Sequence, residues 1–347
     1  MQIQEQEDRG LPRVAAVVLN WNGRRDTIEC LESLLKVNDI DFEIILVDNY
    51  STDDSVKMIE KWVESHNIPK LKFSLPQAQK LAVDKSCNNR IGMQRVVIYS
   101  LQENIGFCAG NNLGLRHALA NGIPYALILN NDTLVDSRFL SYLVEYAQTH
   151  SDAGLIGGQI RYADDPKVIW WMGGRINKWL RFEYLYQNQL AEENLKEPFL
   201  TEWISGCMTL ISMEVFLKIG GYDERLFIWC DEWDLSLRAA KSGYKLAVVP
   251  SAIIYHKIGK TLGILSPLTY YYSGRNLLIL RHRYLPYFDQ ILFFMVYLPY
   301  KFMQSILLTI KYHNPYYIFY WNIIYDFLFN NCGKWSKQDR VVENMKK

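Results

Sequence analysis

Residues 14–23 read VAAVVLNWNG and residues 42–49 read FEIILVDN. Each is a short, unbroken apolar run closed by asparagine, aspartate or glycine, the pattern of a strand buried on both faces that ends in a tight polar loop. Helical spacing follows each run. Ile28, Leu31, Leu34 and Leu35 recur at helical intervals over 27–37, and 53–63 repeats the pattern behind Ser51, Thr52 and Asp53, residues suited to capping. Strand, helix, strand, helix in this order predicts a parallel sheet with right-handed crossovers, which collects ligands at the carboxyl ends of its strands. A ligand is therefore expected at the loops that follow Leu19 and Val47.

Further along, strands are expected at 96–101, 125–129 and 155–160 and helices at 109–120 and 137–149, while 70–95 carries little pattern and reads as an irregular insertion. Periodicity is lost over 168–202, where Trp170, Trp171 and Trp179 gather with Gly173 and Gly174; core packing and a sugar-facing surface are both open for these rings. Strand-like runs return at 245–249 and 253–255. Beyond Pro267 the chain turns aromatic and basic (Tyr270, Tyr271, Tyr272, Arg275, Arg281, Arg283), and 291–310 is mostly apolar but interrupted by Pro299, Lys301 and Gln304. A spanning helix wants about 20 predominantly apolar residues. Apolar residues interleaved with Tyr, Trp, Lys and Arg fit helices lying in a membrane interface better, with a core helix pair or an oligomer interface as the alternative.

Composition bounds the function. Of 347 residues 49% are hydrophobic and 22% charged, which excludes long disorder, coiled coil and collagen-like structure. The net charge of +1 lacks the basic excess of an obligate nucleic-acid binder. The six cysteines form no CxxC pair, so neither a zinc site nor a disulfide framework is expected, and a reducing cytosol suits them. Residues 1–13, with Glu5, Glu7 and Asp8, are unlike a signal peptide.

Four loop ends carry candidate chemistry: Asn20-Trp21-Asn22, Asp48-Asn49, Asn130-Asn131-Asp132, and Cys230-Asp231-Glu232-Trp233-Asp234. Amides and carboxylates gathered at strand ends can hydrogen-bond a base and ribose, and one carboxylate can hold a divalent cation that bridges a diphosphate. A single Asp after a strand is an ordinary turn or cap residue. Four such loops in sequence are harder to dismiss. Asp234 and Arg238 have the spacing of a structural ion pair on a helix. The first strand is not followed by GxGxxG, which argues against a dinucleotide dehydrogenase.

The ordered set VVLNWNGRRDTIECLESLL, IILVDNYSTDDS, ENIGFCAGNNLGL, LILNNDTLV, WISGCMTLI and GGYDERLFIWCDEWDLSLRAAKSGYKL resembles family 2 glycosyltransferases of the GT-A fold. The likeness is closest to bacterial rhamnosyltransferase-like and galactofuranosyltransferase-like members and covers about 13–260. It implies an α/β fold with a Rossmann-like, mostly parallel central sheet flanked by helices. The expected organisation is a polar tail (1–12), a catalytic domain (13–265) with a nucleotide-sugar half (13–135) and an acceptor half (136–265), and a helical, membrane-associating or oligomerising segment (266–347).

The resemblance also assigns roles. Asn20 and Asp48 would contact base and ribose with Asn49 supporting them; Asn104, Gly106 and Asn111 would lie beside the donor, as would Asn130 and Asn131. Asp132 and His256 would hold Mn2+ or Mg2+, although Asn130 stands where the family's Asp-x-Asp has its first carboxylate. Glu232 would be the base that deprotonates the acceptor hydroxyl, with Asp231 the runner-up and otherwise an acceptor ligand beside Trp203. Lys257 and Lys260 would add positive charge near the leaving diphosphate. The implied activity is inverting transfer from a dTDP- or UDP-sugar to a glycan, expected to be lipid-linked, by a peripheral protein on the cytoplasmic face of the cell membrane. A non-catalytic glycan- or nucleotide-binding protein of the same fold is the alternative, motivated by the reduced Asn-Asn-Asp motif.

Overall fold

A computed structural model describes residues 11–75, 92–192, 195–258 and 266–338. In chain order the first half holds β1 (Val14–Asn20), α1 (Arg24–Leu34), β2 (Phe42–Asp48), α2 (Ser55–Ser65), β3 (Lys70–Leu75), β4 (Met93–Leu101), α3 (Gly106–Ala120) and β5 (Tyr125–Asn130). Next come β6 (Thr133–Val135), α4 (Phe139–Thr149), β7 (Ala153–Tyr162), β8 (Ile169–Trp171), β9 (Gly174–Ile176), β10 (Phe182–Tyr184), β11 (Phe199–Thr201), β12 (Met208–Ser212), α5 (Met213–Ile219), α6 (Asp231–Lys241) and β13 (Lys245–His256). Three helices follow: α7 (Pro267–Tyr284), α8 (Tyr287–Tyr312) and α9 (Tyr316–Leu328).

One sheet runs β11-β13-β7-β12-β5-β1-β2-β4-β3, with β6 attached to β13 and β8 to β7. From β5 to β3 every pairing is parallel, as the alternating pattern predicts. The register sets Asn20 opposite Asp48 and Leu19 opposite Asn130, so the polar loop ends share one edge of the sheet. The small-residue helix α3 lies close against β1. A Cβ on Gly114 would fall 2.3 Å from Val17, and one on Gly110 would fall 2.4 Å from Leu19. At the opposite end of β2, fully buried Glu43 takes Arg95 Nε at 2.7 Å, His117 Nε2 at 3.0 Å and Arg13. Burial alone would raise its pKa, but His117, Arg13 and Arg95 together hold it below the usual value.

Two expectations need correction. Residues 70–75 form the edge strand β3: Leu71 and Phe73 turn to the core between Lys70, Lys72 and Ser74, a period of two that is easily taken for weak patterning. At the other end of that supposed insertion Met93, Gln94 and Arg95 open β4, and 76–91 lie outside the described residues. The sheet as a whole is mostly parallel, as expected, with antiparallel pairings of β12, β11, β6 and β8 at its other side. The runs 245–249 and 253–255 belong to one strand, β13, whose register slips between Val249 and Ile253 around Pro250, where no N–H is available to the ladder.

The boundary expected at 265 falls among undescribed residues, 259–265. Beyond it, Ser266 caps α7 by accepting the Thr269 N–H at 3.1 Å, with Pro267 in the first turn. The C-terminal helices build a second core in which Tyr271, Tyr272, Phe319 and Ile323 meet Phe227 and Leu180 of the preceding region. Helix α8 runs unbroken through Pro299, which sits on the exposed side. The amine of Lys301 folds inward, 4.0 Å from the Tyr270 ring centroid, where burial pushes its pKa down to about 8. The outer face of α8 is thereby left to Phe288, Leu292, Met295, Val296, Met303, Leu307 and Ile310, all exposed. By length and composition alone α8, with a mean hydropathy of 1.6, could cross a membrane.

Candidate active site

The residues expected on the donor side meet at the carboxyl edge of the sheet and brace one another. Asn20 donates its amide to Asp48 Oδ1 at 2.7 Å and to Ser51 Oγ at 3.0 Å, while its oxygen accepts from Thr27 Oγ1 at 2.8 Å. It is fully buried, so what it offers a ligand is the orientation of Asp48 rather than its own amide. Asp48 Oδ2 in turn accepts the Ser51 N–H at 3.1 Å. Asn49 ties this loop to the next by donating to Asn104 Oδ1 at 3.0 Å and accepting the Ile105 N–H at 2.9 Å. Asn104 also accepts the N–H of Gly106, whose φ of +89° is glycine territory. Asn111 donates to the Phe107 carbonyl at 3.0 Å, and its oxygen is buried with no partner among the described residues. Asn131 reaches back to Thr27 Oγ1 at 2.8 Å, and the carbonyl of Asn130 accepts from Thr133 Oγ1 at 2.7 Å.

The short strand β6 pairs with the end of β13, His256 opposite Thr133, and this brings His256 Nε2 to 3.2 Å from Asp132 Oδ1. Both side chains are largely enclosed, and Asp132 Oδ1 and His256 Nδ1 are buried without hydrogen-bond partners among the described residues. Burial disfavours a charged His256, yet Cys207 and the Asp132 carboxylate outweigh it and raise its pKa to about 10. A divalent cation beside the Asp132 carboxylate would have to displace the His256 proton, because only the neutral imidazole is a ligand, and two side chains are not a complete cage. No group of three or more His, Cys, Asp or Glu side chains is placed to hold a metal ion among the described residues. The pair therefore fits an ion whose remaining ligands come from elsewhere, such as a diphosphate or water. Lys257 does not face a leaving group as expected: its amine is tied to Asp26 at 3.0 Å and to Glu29. Lys260 lies outside the described residues.

Asp231 and Glu232 open α6. Asp231 is buried with Oδ2 unpartnered, and burial together with the neighbouring Glu232 charge pushes its pKa well up. Burial raises Glu232 to about 7, against the opposing pull of the backbone N–H and of Asp231. A carboxylate that titrates near neutrality is matched to moving a proton. The two halves of the site are joined by the turn at Ser205-Gly206-Cys207. A Cβ on Gly206 would sit 3.6 Å from that of Glu232, while Cys207 interacts with His256. They also meet where Cys108 donates its N–H to the Phe227 carbonyl at 3.1 Å. Asp234 forms the expected ion pair with Arg238 at 2.7 Å and takes Arg283 besides.

Trp203 is not where its assignment as an acceptor residue requires. It is 1% exposed, donates Nε1–H to the Glu183 carbonyl at 3.2 Å and is packed by Trp171, Tyr184 and Trp233. A ring so enclosed supports the site from beneath and offers no face to a sugar. Two aromatics missed in the sequence are better placed. Trp229, two residues before Asp231, is 36% exposed at φ 72°. Tyr184 is 38% exposed and its phenol feels the Glu232 charge. A signal for Trp229 was present in its position beside the acidic pair; Tyr184 had none.

The sequence pattern of the family described as "Glycosyl transferase family 2" matches residues 16–220, and that of the "N-terminal domain of galactosyltransferase" matches 188–261. An uncharacterised protein of Mycobacterium tuberculosis is 29% identical over 179 residues, covering 50% of this chain and 60% of that one. The dTDP-rhamnosyl transferase RfbF of Shigella flexneri is 26% identical over 207 residues, covering 56% and 66%. The chain thus spans about two thirds or less of these relatives' own lengths. Among solved structures, GalNAc-T7 with UDP, GalNAc and Mn2+ superposes with a TM-score of 0.55 at 16% identity, covering 77% of this chain and 48% of that one. At that identity the likeness concerns the fold, which it shares with a mostly parallel sheet flanked by helices.

Proposed function

The chain belongs to glycosyl transferase family 2, and from that premise we propose that it moves a sugar from a nucleotide-diphosphate donor to a glycan hydroxyl with inversion at the anomeric carbon. The observation that carries the proposal is the acidic pair at the start of α6, one Gly-Cys step away from the Asp132–His256 pair. Asp48, oriented by Asn20, accepts hydrogen bonds from ribose or base, and Asn49, Asn104, Gly106 and Asn111 shape the loop beside it. Asp132 and His256 hold Mn2+ or Mg2+, which when bound supplies positive charge to the departing diphosphate. Glu232 takes the proton of the acceptor hydroxyl as its oxygen attacks. Asp231 hydrogen-bonds the acceptor, and Trp229 and Tyr184 present ring faces to its C–H surface. A dTDP-sugar, in keeping with the Shigella relative's name, or a UDP-sugar is the proposed donor.

The mostly apolar outer face of α8, with Lys311 exposed at its end and Tyr317, Trp321 and Tyr325 exposed on α9, supports seating on a membrane and hence a lipid-linked acceptor in cell-envelope polysaccharide synthesis at the cytoplasmic face. The test is calorimetric titration of UDP-, dTDP- and GDP-sugars with and without Mn2+. Metal-dependent binding of one donor, lost in Asp132→Ala, is expected. Folded protein that binds none would leave a glycan-binding protein of the same fold.

A further inference from the structure

The backbone that delivers the acidic pair is held from α7. Phe227 (φ 67°), Trp229 (φ 72°) and Cys230 (φ 62°) all have left-handed φ values just before α6 begins. Bulky side chains adopt such angles only where their surroundings impose them. Here the carbonyl oxygens of Leu226, Ile228 and Trp229 converge on a single atom, Asn276 Nδ2, each at 2.8 Å. An amide has two protons, so the three acceptors share them. Asn276 is fully buried, and its Oδ1 accepts Nε–H from Arg275 at 3.0 Å, which fixes the amide the one way round that turns its donors to the loop.

Arg275 is itself buried. It donates Nη2–H to the carbonyls of Leu226 at 3.0 Å and Arg225 at 3.3 Å, and Nη1–H to that of Gly333 at 2.9 Å. Removing a guanidinium from water in order to bond backbone carbonyls is costly, and an apolar side chain would fill the space more cheaply. The arrangement makes sense if the loop's shape is what matters. From the far end of α7, Arg283 and Tyr284 reach buried Asp234 at 2.5 and 2.8 Å, so the first turn of α6 is gripped on a second side.

We propose that Asn276, oriented by Arg275, is a positioning residue for Glu232. It holds residues 226–230 in the left-handed path that starts α6 at Asp231, and so aims the Glu232 carboxylate at the acceptor oxygen. The catalytic consequence rests on the glycosyl-transfer reading, whereas the clamp on the loop does not.

The experiment compares wild type, Asn276→Ala and Arg275→Lys by hydrogen exchange of the 227–232 amides and by steady-state transfer. In Asn276→Ala those amides should exchange at least about tenfold faster while β1, β2 and β5 keep their protection. The kcat per folded molecule should fall about 100-fold with KM for the donor little changed, because a displaced base is felt in the transition state more than in donor binding. Arg275→Lys keeps the charge but loses the fixed Nε donor, so it should show both effects more weakly. Should Asn276→Ala not fold, Arg275→Lys decides by the same two readings. Unchanged protection at 227–232, or a loosened loop with undiminished kcat, overturns the proposal; a merely structural role would lower the melting temperature and spare kcat. If wild type transfers sugar to no acceptor, the glycosyl-transfer reading fails, while exchange at 227–232 still decides whether the clamp exists.

Discussion

Replacing Glu232 by Gln should separate what this carboxylate does for catalysis from what it costs the fold. In the folded protein burial lifts its pKa from 4.5 to about 7. A carboxylic acid raised in this way binds more protons folded than unfolded, so stability is full below about 4.5 and declines as pH rises towards 7. At about 1.4 kcal/mol for each tenfold in acidity the full rise corresponds to about 3 kcal/mol. Residual solvent access and the proton shared with Asp231 reduce the expected figure to about 1–3 kcal/mol. The Gln variant has no charge to desolvate and relieves Asp231 of a like-charged neighbour. Urea unfolding at a series of pH values should therefore find the variant more stable than wild type by that amount at pH 8, with the gap closing below pH 5. Transfer should fall by about 10²- to 10⁴-fold, the range for loss of a general base, with donor binding retained. A gap that does not change with pH, or a variant less stable at pH 8, would refute the assignment of Glu232 to a buried, charge-strained position.

Three more outcomes are expected. Trp203→Ala should cost about 3–5 kcal/mol in denaturant unfolding as a core truncation, whereas Trp229→Ala should leave stability within about 1 kcal/mol and raise KM for the acceptor; the reverse pattern would exchange their roles. Glu43→Gln should cost about 3–5 kcal/mol at pH 7, since Arg13 and Arg95 would lose their buried carboxylate. Its lowered pKa also means that wild-type stability drops as pH falls below about 4.5 and that the variant, measured by urea unfolding, drops less. Met295→Glu with Leu307→Glu on the outer face of α8 should abolish flotation with anionic lipid vesicles without shifting the melting temperature. Undiminished flotation would remove the membrane role, and a dimer in sedimentation that these changes dissolve would assign the face to a second copy.

Much of the sheet could be read because its central strands are buried on both sides, which leaves uninterrupted apolar runs such as 14–19 and 42–47. The edge strand β3 and the antiparallel β12 left no such mark, one being half lysine and serine on its outer side, the other distinguished only by its direction. The chemistry-bearing residues stood out because carboxylates and amides cluster at loop ends. What joins them did not. The meeting of Asp132 with His256 depends on a three-residue strand pairing with the tip of β13, a contact no local period encodes. Whether a tryptophan is platform or core depends on what covers it, so Trp203 and Trp229 are alike in sequence and opposite in the fold. Arg275 read as one of a set of basic residues suited to a lipid surface, yet it points inward.

The contacts of Arg275 also set an order of events during synthesis. Its guanidinium ties Arg225 to Gly333, whose own N–H bonds the Arg225 carbonyl, so the loop ahead of Glu232 is fully fastened only after residue 333 has been made. Roughly a hundred residues separate the two, about 5–20 s of translation at ordinary rates. Throughout that interval a nascent chain can carry the parallel strands β1 to β5 while the start of α6 is not yet fixed. Helices α8 and α9 are made within the same interval, so under the proposed membrane role the chain can meet a lipid surface before the start of α6 is fixed.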